Sequence, residues 1–85
     1  MTDEQKQIIR SRIGQRITAL RNLHGMTITE LADKSGLQRS HISRIEVGKY
    51  SVNIETLQSI AEAFGMTVDI IDERLTNLAP LVKLV

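Results

Sequence analysis

Apolar residues recur along this chain at helical spacing for its first three quarters and then change period. Ile9, Ile13, Ile17 and Leu20 form one stripe at steps of four, four and three, which predicts an amphipathic helix over roughly residues 3–24. Thr2 and Gln5 fit a capping box at its start. A second helix opens at "TITE", where Thr27 can cap and Glu30 can return the bond. Leu31 and Ala32 then face inward, and the helix ends by Gly36. The third, over residues 38–47, carries only a thin stripe of Ile42 and Ile45. The fourth follows Asn53, a good N-cap, with Ile54, Leu57, Ile60, Ala61 and Phe64 on its apolar face.

After Gly65 the period shortens to two. Met66, Val68 and Ile70 alternate with Thr67 and Asp69, which predicts a strand over residues 66–72. The segment "PLVKLV", residues 80–85, reads as a second strand or a docking tail, with Pro80 suited to a strand start. A two-stranded hairpin is marginal alone in water. A second copy of the chain is the simplest supplier of a covering surface, making Met66, Val68, Ile70, Leu81, Val82 and Leu84 the expected dimerisation residues. The expected organisation is a mainly α-helical domain over residues 1–65 with a short C-terminal β extension over 66–85.

Composition narrows the chemistry. Eighty-five residues suffice for one small core, and the absence of cysteine removes disulfides and thiolate metal sites. The opening "MTDEQKQ" lacks the apolar run of a signal peptide, and no apolar stretch approaches the roughly 18 residues of a membrane span. A cytoplasmic protein without membrane attachment is the expected reading. The net charge of +1 conceals an asymmetry: residues 1–49 hold nine basic and five acidic side chains, residues 50–85 two basic and five acidic. Only the first half can present a positive face to a polyanion.

The stretch "SGLQRSHISRIEVGK", residues 35–49, concentrates the functional signal. A short helix, a turn at Gly36 with Leu37 beneath it, and a helix with a polar outer face make a helix-turn-helix pattern over residues 28–47. Residues 13–70, through "IGQRITALRNLHGMTITELADKSGLQRSHISRIEVGK" and "NIETLQSIAEAFGMTVDII", resemble the Cro/C1-type (XRE) helix-turn-helix family of phage repressors and small bacterial regulators. The resemblance implies a lambda-repressor-like domain of four to five helices and a transcriptional regulator of double-stranded DNA. It further implies a repressor acting as a homodimer on a palindromic operator. It implies base reading by Gln38, Arg39, Ser40, Ser43 and Arg44, and phosphate contact by His41, Lys49, Tyr50, Ser51 and Asn53. A buried ion pair between Arg21 and Glu46 would explain why an acid is turned inward on the reading helix.

The chain departs from the family at Ile28, where relatives often carry glutamine, at Gln38, a weak N-cap, and at Val47 and Val52. A second reading makes the chain an interaction protein, such as an antitoxin whose apolar tail "LAPLVKLV" engages a separate protein while DNA binding serves autoregulation. No catalytic, metal or cofactor site is expected. Ser40 and His41 are adjacent on a helix and diverge by about 100°, and the two histidines lie apart in sequence without cysteine support. His24, on the apolar stripe of the first helix, is expected to be a partly buried structural imidazole.

Overall fold

The computed structural model describes residues 1–70, and within them the chain forms four helices: α1 (Asp3–Leu23), α2 (Ile28–Ser35), α3 (Arg39–Glu46) and α4 (Ile54–Ala63). Local chemistry sets most of their ends. Thr2 Oγ1 accepts from Gln5 N at 3.1 Å while Gln5 Oε1 accepts from Thr2 N at 2.8 Å. Thr27 and Glu30 repeat this reciprocal arrangement at α2, with both bonds at 3.1 Å. Each capping box satisfies two backbone donors that a helix start leaves open. Asn53 Oδ1 accepts from Thr56 N at 2.7 Å and starts α4. Gln38 offers α3 no side-chain cap.

The helices bury one another's stripes. α3 lies between α1 and α2, and α2 also packs on α4. Ile17 of α1, Leu31 and Ala32 of α2, Ile42 and Ile45 of α3, and Ile60 of α4 with Phe64 beyond its end form the core. Leu31 and Ile42 are wholly inaccessible to solvent, and burial at such positions supplies about 1.5–3 kcal/mol per side chain. The apolar stripe of α1 runs past this core. Ile17 is buried and Ile13 half-buried, but Ile9 is exposed. His24 differs from expectation in the same way: its side chain is exposed, with its ring 5.1 Å from that of Phe64.

Gly14 sets the distance between α1 and α3. A Cβ at this position would lie 2.5 Å from the Ile45 carbonyl oxygen and closer still to that of Glu46. Only glycine lets the two backbones approach so far. The approach holds α3 against the middle of the longest helix and turns its other face outward.

The expected strand from Met66 is not formed among the described residues. Residues 66–70 have no neighbouring strand, and side chains take the backbone donors of Val68 and Ile70 instead. Gln58 Oε1 accepts from Val68 N at 2.9 Å and from Thr67 Oγ1 at 3.2 Å, and Asp69 Oδ1 accepts from Ile70 N at 2.7 Å. A strand requires a ladder partner, and Gln58 of α4 substitutes for one by capping the segment locally. The second expected strand, with Leu81, Val82 and Leu84, lies outside the described residues.

Candidate nucleic-acid interface

α3 has two faces with opposite chemistry. Ile42 and Ile45 are buried, whereas Arg39, Ser40, Ser43, Arg44 and Val47 are exposed, as is Gln38 just before the helix. The i, i+3, i+4 geometry of a helix places Arg39, Ser40, Ser43 and Arg44 along one outward strip. Ile28, at the start of α2, joins Arg39, Ser40 and Ser43 in lining a shallow notch. The departure at Ile28 therefore supplies an apolar wall beside three polar side chains of α3.

The inward acid is held by two side chains of α1, Arg21 and Thr18. Arg21 Nε donates to Glu46 Oε2 at 2.9 Å and Arg21 Nη2 to Glu46 Oε1 at 3.1 Å, a bidentate pairing of guanidinium and carboxylate. Thr18 Oγ1 lies 2.8 Å from Glu46 Oε1 and 3.0 Å from the Gly14 carbonyl oxygen. Its single proton favours the carboxylate, the shorter and charge-assisted contact. Arg21 Nη1 donates to the Met26 carbonyl at 2.9 Å, which ties the pair to the chain entering α2. The two side chains retain 15% and 7% of their accessibility. Hydrogen bonding to Glu46 is the main reason the Arg21 pKa rises above the ordinary guanidinium value; burial opposes it, and the nearby charge adds a smaller increase. The pair thus fixes α3 to α1 and to the α1–α2 turn together.

Beyond α3, Gly48 adopts a φ of +79° and reverses the chain. Lys49, Tyr50, Ser51 and Asn53 follow and are exposed, while His41 is half-buried. These residues do not act as five independent groups. Asn53 spends its side-chain oxygen on the α4 cap. Tyr50 folds back onto α3, where its hydroxyl accepts from Arg44 Nη1 at 3.1 Å and its ring lies 5.6 Å from the guanidinium carbon. The ring of His41 meets Tyr50 edge-on at 6.0 Å. Gln7 Nε2 donates to the Gly48 carbonyl at 3.3 Å, joining the start of α1 to the same turn.

Sequence reasoning did not identify Thr18, the Met26 carbonyl, Gln7 or the coupling of Tyr50 to Arg44. In the sequence, Gly14 is simply a glycine inside a helical pattern. That anomaly is the signal for a close backbone approach, although it does not name the partner helix. Among the described residues no group of three His, Asp or Glu side chains is placed to hold a metal ion, and no helix is long and apolar enough to cross a membrane.

Comparison with known proteins agrees with this architecture. The family model described as helix-turn-helix matches residues 17–71. The immunity repressor protein of Bacillus phage phi105 is 39% identical over 59 residues, covering 69% of this chain and 41% of the relative. Antitoxin PezA of Streptococcus pneumoniae is 39% identical over 62 residues, covering 72% of this chain and 39% of the relative. The chain thus spans about two fifths of the length of these two curated relatives. The crystal structure of the restriction-modification controller protein C.AhdI from Aeromonas hydrophila superposes with a TM-score of 0.68 at 30% identity, covering 69% of this chain and 89% of that one. With a family match across most of the chain, a shared fold and an outward polar helix held by a buried ion pair, the chain belongs to the Cro/C1-type helix-turn-helix family.

Proposed function

We propose that the protein is a transcriptional regulator that binds double-stranded DNA in a sequence-specific manner, inserting α3 into the major groove. The supporting observation is the division of α3 itself. Two isoleucines anchor it in the core, while Arg39, Ser40, Ser43 and Arg44 stand in solvent on the opposite side. The major groove of B-DNA admits a helix, and its base edges offer the acceptors that such side chains recognise. Arg39 and Arg44 suit guanine O6 and N7, Gln38 suits adenine, and the serines accept or donate as the base requires. Lys49, Ser51 and Asn53 flank the helix as backbone contacts that set its register.

The protein acts, on this reading, as a homodimeric repressor whose two α3 helices meet successive major grooves of a two-fold operator. Residues 66–85 form its association segment, with Ile70 fully exposed in the isolated chain. Identity with a protein named as an antitoxin supports a second reading, in which this segment binds a separate protein and DNA binding is autoregulatory. The decisive property shared by both is affinity for duplex DNA. Titration of a fluorescent 25-base-pair duplex over a range of salt concentrations tests it. Binding with log affinity falling linearly against log salt supports the proposal, and no binding at low salt contradicts it.

A further inference from the structure

The geometry points to Tyr50 as a positioning residue that sets how Arg44 meets a base, so that it determines specificity without reading sequence itself. This inference rests on the DNA-reading assignment of α3 and deepens it. An arginine on an exposed helix face ordinarily samples many rotamers, and ordering it on a ligand costs conformational entropy. Arg44 is already held. Its Nη1 donates to the Tyr50 hydroxyl at 3.1 Å, and its guanidinium carbon lies 5.6 Å from the centre of the Tyr50 ring, within cation–π range.

Tyr50 is itself constrained. Gly48, at a φ of +79°, turns the chain back, and a backbone bond from Lys49 N to the Arg44 carbonyl at 3.0 Å closes the turn. The Gly48 carbonyl is held by Gln7, and His41, one helical turn before Arg44, braces the phenol ring edge-on at 6.0 Å. Tyr50 therefore connects two residues of α3 and occupies one end of the Arg44 fork. With Nη1 taken, Arg44 retains Nε and Nη2, which have no hydrogen-bond partner among the described residues. That side of the fork is a parallel pair of donors, the arrangement that guanine O6 and N7 accept. The phenol oxygen orients the fork, and the ring favours its charged plane.

A double-mutant cycle separates this role from a direct phosphate contact by Tyr50. Parent, Tyr50→Phe, Arg44→Ala and the double variant are titrated against a duplex enriched by the parent from a random pool and against a scrambled duplex. Tyr50→Phe keeps the ring and removes only the oxygen. It is expected to lower the ratio of specific to scrambled affinity about 3–10-fold, in line with the loss of one hydrogen bond. Binding to the scrambled duplex and the melting temperature should stay at parental values. In the Arg44→Ala background the same change should have no further effect. Equal losses on both duplexes, additive with Arg44→Ala, would show Tyr50 contacting the backbone directly and overturn the inference. A Tyr50→Phe variant with parental specificity would do the same. A parent that discriminates no sequence would overturn the DNA-reading assignment together with this one.

Discussion

Replacing Glu46 with alanine would leave Arg21 facing a gap, and the structure sets the scale of the consequence. The carboxylate accepts two bonds from Arg21 and lies within hydrogen-bond reach of Thr18. Its removal strands Arg21 Nε and Nη2, whereas Nη1 keeps the Met26 carbonyl. Breaking a buried pair by deleting one partner costs about 3–5 kcal/mol, chiefly because the remaining charge is left uncompensated. Arg21 retains 15% of its side-chain accessibility, so water can solvate part of it. The lower end, about 3 kcal/mol, is therefore expected. For a domain of this size each kcal/mol lowers the melting temperature by about 4–8 °C, giving a fall of about 12–24 °C. Thermal unfolding followed by circular dichroism at 222 nm measures it. Because the Arg21 pKa is raised, its stabilisation is complete below the unfolded-state value and is lost only as pH climbs through the still higher folded value. That window lies far above neutrality, so the Arg21 side of the pair adds no pH dependence between pH 6 and pH 9. A fall of less than about 3 °C in Glu46→Ala would refute the claim that this pair holds α3 in place.

Other substitutions probe separate links. Gly14→Ala would raise intrinsic helix propensity by about 1 kcal/mol, yet the added Cβ meets the Ile45 and Glu46 carbonyls, so net destabilisation of about 1–3 kcal/mol is expected in urea unfolding. A gain in stability would show that α1 and α3 can separate freely. Thr27→Ala removes one half of the α2 capping box and should cost about 1 kcal/mol in the same assay; an unchanged midpoint would show that packing alone starts α2. Arg44→Ala should weaken binding to an enriched duplex by about 1–3 kcal/mol while its melting temperature stays at the parental value. An equal loss on every sequence would place Arg44 on phosphate.

Periodicity located all four helices because each apolar stripe repeats within a few residues and the caps are local chemistry. Thr2 with Gln5, Thr27 with Glu30, and Asn53 act on their own helix starts, so short sequence windows contain the whole interaction. Contacts across the fold were legible only where resemblance supplied the pairing, as with Arg21 and Glu46, 25 residues apart. Thr18 and the Met26 carbonyl complete that cluster but carry no pattern of their own. The strand expectation at residues 66–72 rests on a true alternation, yet alternation describes side chains and cannot supply a ladder partner. Gln58 satisfied the backbone first. The resemblance implies a phosphate contact for Tyr50 from its place after α3. Its fold back onto Arg44 depends on the turn at Gly48, a three-dimensional fact that residue type alone does not reveal.

The central claim is that α3 reads sequence, and selection from a random duplex pool at near-physiological salt tests it most directly. The parent protein is incubated with the pool, and the retained DNA is sequenced over successive rounds. The account predicts enrichment of a two-fold motif whose half-sites lie about one helical turn, roughly 10 base pairs, apart. Retained DNA with no enriched motif would contradict it and leave α3 a nonspecific surface.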